Sequence, residues 1–242
     1  MGLPTITVPQ YELILPSSGK TIKYRPFLVK EEKILLIAME SEDTKQIVNA
    51  TKEIIKNCII GEDINVDTMP LFDIEYIFLN LRAKAKGEMI DLSYKCPKCE
   101  GTIPVSINVD NIKVIKNEKH NSTIKITDEL GIVMKYPTIS LQETMPEDGK
   151  ENIELLFDTM TTCIDYIYDK DTTYKCTDHT EAEMKTFLES LTDSQFQEIS
   201  QFFDTQPKLQ HEISLHCKNK VKKKECGHKE KQTLEGLQSF FG

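Results

Sequence analysis

The chain has 242 residues, of which 39% are hydrophobic, so it is long enough for one large or two small domains with an apolar core. Its net charge of −9 at pH 7 argues against a nucleic-acid-binding surface over the whole protein, because such surfaces are built from clustered Lys and Arg. The longest apolar run, Ile34–Met39, is too short to span a membrane, and the N-terminus lacks the basic-then-apolar order of a signal peptide.

The first predicted elements are a β-hairpin and three helices. Residues 11–16 and 21–24 alternate apolar and polar positions on either side of a Ser/Gly turn, which is typical of a hairpin. Asp73 follows Pro70 and is predicted to be the N-cap of the third helix. Apolar residues recur at helical spacing in three stretches: 30–39, 43–60 and 74–81.

Two further hairpins are predicted, each with cysteines at its turn. Segments that alternate apolar and polar residues precede and follow each cysteine pair: 90–94 and 102–107 around the first, 211–216 and 230–234 around the second.

The chain between these hairpins is predicted to contain a strand pair and then a largely helical segment. The strands are residues 123–127 and 131–136, and the helical segment is 152–203, interrupted by the polar loop 169–179, with Thr192 or Asp193 as a cap after it. The predicted fold class is therefore α+β, with the two cysteine hairpins forming a split zinc ribbon and the largely helical segment inserted between them. The predicted organisation, in one compact unit, is an N-terminal part at 1–87, the cysteine hairpins at 88–110 and 208–242, and the insertion at 111–207.

Four cysteines form the candidate metal site. Four thiolates suit Zn²⁺ in a closed tetrahedral site with no open position for water, so the predicted role is structural. The pattern departs from an ordinary zinc ribbon, because residues 100–216 separate the two pairs and the lysine-rich stretch 218–224 lies inside the second pair. Two alternatives stay open: the pairs could be unrelated, or His216 or His228 could replace a thiolate. The proposed ligands are Cys96, Cys99, Cys217 and Cys226.

The other three cysteines do not indicate a site. Cys58 and Cys163 lie in apolar helical stretches, where free cysteine behaves as a small hydrophobe. Cys176 and His179 have a metal-like spacing, but the surrounding polar loop offers no second pair of ligands. Seven cysteines, an odd number, fit a reducing compartment better than a disulfide framework, which predicts a cytoplasmic location.

The sequence contains none of the usual catalytic patterns: no phosphate-binding glycine loop, no G-x-S-x-G and no H-E-x-x-H. The protein is therefore predicted not to be an enzyme and to have no small-molecule substrate.

A nucleic-acid-binding zinc ribbon is the alternative function, because Lys218–Lys231 is a dense basic cluster. Acidic residues interrupt this cluster and it has no aromatic residue for base stacking, so a solvated loop is favoured over a specific nucleic-acid site.

Several stretches, in order along the chain, resemble the baseplate hub subunit family of T4-like contractile-tailed bacteriophages. They are YELILPSSGK (11–20), YRPFLVKEEKILL (24–36), DIEYIFLNLRAKAKGE (73–88), CPKCEGTIPVSINV (96–109) and CGHKEKQTLEGLQSFF (226–241).

The resemblance implies a non-enzymatic structural or assembly protein of the tail baseplate hub. Its expected partners are hub, tape-measure or other tail proteins, and no membrane is implied. Its expected location is the host cytoplasm during assembly, or the baseplate of the virion. Arg25 and Phe27, in the densest match, and Phe240 and Phe241, in an aromatic C-terminal tail, are candidate partner-binding residues.

Overall fold

The computed structural model describes residues 6–61, 64–144, 153–221, 224–236 and 239. Over these residues the fold is α+β, with six α-helices and several small β-sheets, which confirms the predicted class. The helices are α1 (Val29–Glu40), α2 (Thr44–Cys58), α3 (Leu71–Lys86), α4 (Ile153–Thr162), α5 (Glu181–Glu189) and α6 (Asp193–Thr205). The strands are β1 (Tyr11–Ile14), β2 (Thr21–Tyr24), β3 (Ile59–Ile60), β4 (Met89–Lys95), β5 (Thr102–Asn108), β6 (Lys113–Ile115), β7 (Thr123–Lys125), β8 (Gly131–Met134), β9 (Ile164–Tyr168), β10 (Thr173–Lys175), β11 (Lys208–His216), β12 (Lys220–Val221), β13 (Lys224–Glu225) and β14 (Lys229–Glu235).

The chain divides into two compact units. Unit 1 comprises residues 1–66, 72–115 and 208–242, and unit 2 comprises residues 67–71 and 116–207. The boundary falls where β6 pairs with β11, with Ile115 opposite Lys208. The chain thus leaves unit 1 and returns to it at neighbouring positions of one sheet. The finer division of the chain predicted from the sequence stays a prediction.

The N-terminal hairpin of unit 1 is confirmed, and a third strand extends it. β1 pairs with β2 from Tyr11 opposite Tyr24 to Ile14 opposite Thr21. β3 then pairs with β2, so the second predicted helix ends at Cys58 and not at residue 60. The reason is tertiary: the backbone after Cys58 finds hydrogen-bond partners on the edge of β2, which the local helical pattern does not reveal.

The third helix begins at Leu71, two residues before the predicted N-cap. Asp73 is fully buried in the first turn of this helix, and its carboxylate accepts hydrogen bonds from the backbone N–H of Ser17, at 3.1 Å, and from the Ser17 hydroxyl. The Asp73 carboxylate therefore fixes the turn of the N-terminal hairpin to α3 through Ser17. The prediction that Asp73 caps the helix was wrong, because a distant partner competes for the same oxygens.

An ion pair with one deeply buried partner links the hairpin to α1 and α2. Glu31 is only 1% exposed, and its Oε1 lies 3.0 Å from Nη2 of Arg25. The same carboxylate accepts a hydrogen bond from the N–H of Leu28, and the Arg25 guanidinium also donates to the carbonyl of Asn57 at the end of α2. Burial raises the pKa of Glu31, but the hydrogen bonds from Arg25 and Leu28 outweigh it, and the pKa lies below its ordinary value.

The second half of unit 1 is built from the two cysteine hairpins. β4 pairs with β5, and β11 pairs on one side with β14 and on the other with β6. Apolar side chains from these strands and from α3 form one core. Its buried members include Leu79, Ile90, Ile103, Leu209, Leu215, Cys96 and Cys217.

Unit 2 contains a four-stranded antiparallel sheet in the order β10-β9-β8-β7, with three helices. The predicted strand pair is confirmed as β7 and β8, and Thr192 caps α6 as expected. The segment 152–203 is less helical than predicted, because β9 replaces part of the predicted helix, and β10 lies in the predicted loop. β9 has the alternating, β-branched and aromatic composition of a strand, and it pairs with β8. Buried side chains of its core include Ile132, Ile164, Leu188, Ile199 and Phe202.

Glu31→Gln is expected to lower the free energy of unfolding of unit 1 by about 2 kcal/mol at pH 7, because it leaves the partly buried Arg25 without a charged partner. Since the folded-state pKa of Glu31 is lowered, its contribution is present above the ordinary value of 4.5 and is lost as pH falls through the folded-state pKa. Urea denaturation at several pH values, with hydrogen exchange of α1 amides, measures the effect. The control is Glu53→Gln on the exposed face of α2. Equal stability of the two variants at pH 7 would contradict the assigned role of the ion pair.

Candidate metal centre

The turns of the two cysteine hairpins meet in unit 1. Their four sulfur atoms all lie within 4.8 Å of one another, and no other group of at least three potential ligands this close occurs among the described residues. The members are the four predicted from the sequence: Cys96, Cys99, Cys217 and Cys226.

A tight turn between β4 and β5 positions the first pair. The N–H of Cys96 donates to the carbonyl of Gly101 at 2.9 Å, and the N–H of Glu100 donates to the carbonyl of Cys96 at 2.8 Å. Glu100 adopts a φ of 58°, a left-handed conformation uncommon for residues with a side chain. The turn therefore closes within a few residues, which lets Cys96 and Cys99 present their sulfurs to the same point.

Backbone contacts across the hairpin position the second pair, although residues 218–225 lie inside it. The N–H of Cys217 donates to the carbonyl of His228 at 2.8 Å, and the N–H of Gly227 donates back to the carbonyl of Cys217 at 3.0 Å. Part of the intervening segment forms a ladder of its own, in which β12 pairs with β13. Part of the lysine-rich stretch therefore pairs with itself, while Cys217 and Cys226 stay close together.

The sulfur distances match those of a thiolate metal site and not of disulfides. The Sγ atoms of Cys96 and Cys226 are 3.8 Å apart, and those of Cys99 and Cys217 are 3.5 Å apart. A disulfide requires about 2.05 Å. Tetrahedral zinc with Zn–S bonds of about 2.3 Å places its sulfurs about 3.8 Å apart. The four cysteines are thus free thiols at a spacing compatible with a metal ion.

The pKa values of the thiols show how a cation would act on the cluster. Burial disfavours the thiolate of Cys96, but the backbone N–H groups of Lys98 and Cys99 outweigh it and lower the pKa to about 6. The N–H of Gly101 favours the thiolate of Cys99, but burial and the neighbouring thiols raise the pKa of Cys99 to about 12. Cys96 therefore ionises much more readily than Cys99, because two thiolates this close to each other repel. A divalent cation supplies the charge that full ionisation requires.

Neither neighbouring histidine belongs to the group of close ligand atoms. Nε2 of His216 lies 3.6 Å from a carboxylate oxygen of Glu225, and Nε2 of His228 lies 3.3 Å from one of Glu230. The geometry therefore favours an all-cysteine set over replacement of a thiolate by histidine.

Asn219 is a contact residue of the site that the sequence analysis missed. Its side-chain amide lies 3.3 Å from the Sγ of Cys217 and donates to the carbonyl of Thr102 at 3.0 Å. No local pattern marks an Asn in a lysine-rich stretch as a contact of the first hairpin. Its place two positions after a ligand is the only sequence signal that could have singled it out.

Exposed lysines surround the cysteine cluster. They come from both hairpins, and within the described ranges they form no ion pair: Lys95, Lys98, Lys218, Lys220, Lys224 and Lys229. Lys231, by contrast, pairs with Glu212 at 2.8 Å. This end of the protein is therefore locally basic, although the whole chain carries a net charge of −9.

The structure describes two of the four candidate partner-binding residues, Arg25 and Phe27. Arg25 holds Glu31, and Phe27 is buried and stacks on Phe78 with ring centroids 6.4 Å apart. Both therefore contribute to the fold, and their contact with a partner stays a prediction. Phe240 and Phe241 lie outside the described residues.

The remaining cysteines are consistent with packing roles. Cys58 and Cys163 are buried, and burial raises the pKa of each thiol, to about 11 and about 12. Cys176 is half-buried in unit 2, and burial raises its pKa as well. Thiols with raised pKa values are poor nucleophiles at neutral pH.

In the described part of the chain, no helix is long and apolar enough to cross a membrane.

No curated protein and no solved structure matches the chain. The family model for the T4 bacteriophage base plate protein, however, matches residues 8–242, which includes the N-terminal hairpin, both cysteine hairpins and unit 2. The chain therefore belongs to the T4 bacteriophage base plate protein family.

Proposed function

We propose that this protein is a zinc-stabilised, non-enzymatic structural or assembly protein of the baseplate hub. Membership of the base plate family supports a structural role in the phage baseplate. The order of the resembling stretches, from YELILPSSGK at 11–20 to the C-terminal CGHKEKQTLEGLQSFF, supports the hub in particular. Its partners would be hub, tape-measure or other tail proteins, met in the host cytoplasm during assembly and retained in the virion if the protein is a permanent component.

The observation that carries the zinc assignment is the group of four sulfur atoms within 4.8 Å. Soft thiolates select Zn²⁺ over harder cations, and four of them leave no coordination position for water or substrate. A metal held in this way joins two hairpins but offers no Lewis-acid chemistry. This supports a non-enzymatic role, in which the metal shapes a surface for other tail proteins.

A nucleic-acid-binding zinc ribbon is the second candidate, and the exposed lysines around the cysteine cluster are the observation that favours it. Affinity for the phosphate backbone requires clustered positive charge, which this end of unit 1 has. Against it, the charge of the rest of the chain is acidic, and sequence-selective recognition needs base contacts or stacking groups. The described lysine-rich segment contains no aromatic residue. The baseplate role is therefore preferred.

Purified protein is expected to contain about one Zn²⁺ per chain, and Cys96→Ser is expected to lose it. Because the metal joins both hairpins, this substitution should increase hydrogen exchange in β11 and β14 as well as in β4 and β5. Elemental analysis and hydrogen exchange measure the two effects. Cys176→Ser in unit 2 is the matched control and should keep its metal. A fully folded, metal-free preparation of the unsubstituted protein would contradict the zinc assignment.

Infection with a phage that lacks this chain is expected to leave heads and baseplate wedges but no complete tails. The reason is that a hub component is needed to join wedges into a baseplate, while no enzymatic step depends on it. Electron microscopy of the lysate measures the outcome, and supplying the chain from a plasmid should restore complete tails. Normal tails without the chain would exclude the hub role, whatever the metal analysis showed.

Binding to duplex DNA is expected to be weak and confined to Lys218–Lys231, because the remaining surface repels phosphate. Fluorescence anisotropy at several salt concentrations measures it, with Lys220→Glu as the test variant and Lys45→Glu on α2 as the control. Sequence-selective binding of micromolar or tighter affinity at physiological salt would favour the zinc-ribbon alternative.

A further inference from the structure

We propose that Asn219 positions the second cysteine pair for metal binding, by connecting that pair to the first hairpin, and that residue 101 is glycine because a side chain there would displace the Asn219 amide. The inference rests on the proposed metal site. It adds two positioning residues, Asn219 and Gly101, that are not themselves ligands.

The side-chain amide of Asn219 connects the two hairpins directly. Its Nδ2 donates to the carbonyl of Thr102 on β5 at 3.0 Å and lies 3.3 Å from the Sγ of Cys217 on the other hairpin. A carbonyl oxygen and a thiolate sulfur are both acceptors, so the contacts need the NH₂ group and not the amide oxygen. One planar group therefore sets the position of a ligand on one hairpin relative to the backbone of the other.

The backbone of Asn219 also holds the second ligand of its pair. Its carbonyl accepts a hydrogen bond from the N–H of Cys226 at 2.8 Å. Asn219 thus contacts both members of the pair, Cys217 through its side chain and Cys226 through its main chain. A single residue compensates for the separation of these cysteines in sequence, because it fixes both relative to the first hairpin.

The Asn219 side-chain amide gives the second cysteine pair an N–H donor to sulfur. The backbone of the turn provides such donors to the first pair. At the first pair, the backbone N–H groups of Lys98 and Cys99 donate hydrogen bonds to the sulfur of Cys96. Such donors come from a tight two-residue turn, which Cys217 and Cys226 cannot form together. An N–H group directed at sulfur stabilises the thiolate and orients it, as hydrogen bonds to metal ligands generally do.

Gly101 provides the space in which this amide lies. Its backbone does not adopt a positive φ, so its conformation does not require glycine. A Cβ atom at this position would lie 2.6 Å from Nδ2 and 2.9 Å from Cγ of Asn219. The end of the Asn219 side chain could move to relieve this overlap, but it would then lose its contacts with Thr102 and Cys217. A substitution at Gly101 is therefore expected to act through Asn219.

The test compares Asn219→Ala, Gly101→Ala and the double variant with the unsubstituted protein. Each single substitution is expected to lower zinc affinity about tenfold or more, the range found when a hydrogen bond to a metal ligand is removed. The double variant is expected to bind about as weakly as the weaker single variant, because Gly101→Ala has no amide left to displace. Competition with a chromophoric chelator measures the affinities. Lys218→Ala, an exposed neighbour, is the control and should bind zinc normally.

Cobalt substitution separates an effect on sulfur from a general loss of stability. Co²⁺ in a thiolate site gives a sulfur-to-metal charge-transfer band, and an N–H donor to sulfur raises its energy. Asn219→Ala at saturating Co²⁺ is therefore expected to shift this band to longer wavelength, with an unchanged far-ultraviolet circular dichroism spectrum. Unchanged affinity and an unchanged band in Asn219→Ala, or additive losses in the double variant, would overturn this inference alone. Absence of metal binding by the unsubstituted protein would overturn the metal site with it.

Discussion

The convergence of four cysteine sulfurs is the constraint on which unit 1 depends. Two hairpins that lie far apart in sequence meet at their turns, with all four Sγ atoms within 4.8 Å. Four thiolates this close together would repel one another strongly. A divalent cation would offset this repulsion, since it would stabilise all four thiolates at once and restrain the long segment between the pairs. A metal bound there would act as a cross-link between the two hairpins.

The long separation of the cysteine pairs is physically compatible with one site because of the way unit 2 is inserted. Ile115 and Lys208 are paired opposite each other in the sheet formed by β6 and β11. The chain can therefore leave unit 1, form a unit with a core of its own, and return without moving the strands that carry the cysteines. On a smaller scale, β12 and β13 pair with each other between Cys217 and Cys226, while a backbone hydrogen bond keeps Cys217 near Gly227.

Two hairpins joined at their cysteines suit a structural component of a larger assembly, because such a component has to hold a fixed conformation. Base plate family membership indicates a structural role, and a metal closed in by four thiolates would add rigidity to such a protein. The lysines around the site give this end of the protein a charge opposite to that of the whole chain. In an assembly, such local charge contributes to the rate and orientation of association more than to affinity. Asn219 would connect a bound metal to this basic surface, because it contacts Cys217 and lies within the lysine-rich stretch.

The sequence by itself determined the fold class, the N-terminal hairpin, the two cysteine hairpins and the four candidate ligands. The first three depend on the local periodicity of apolar residues, and the ligands depend on cysteine, a residue type that characteristically binds metal ions. Tertiary structure decided the features in which a distant partner competes with a local preference. Asp73 lies inside the helix and accepts hydrogen bonds from Ser17, β3 and β9 pair with β2 and β8 where the sequence pattern indicated helix, and Arg25 binds Glu31. It alone showed that Asn219 and Gly101 meet between the hairpins, because a contact between residues so far apart depends on three-dimensional packing and leaves no periodic trace in the sequence.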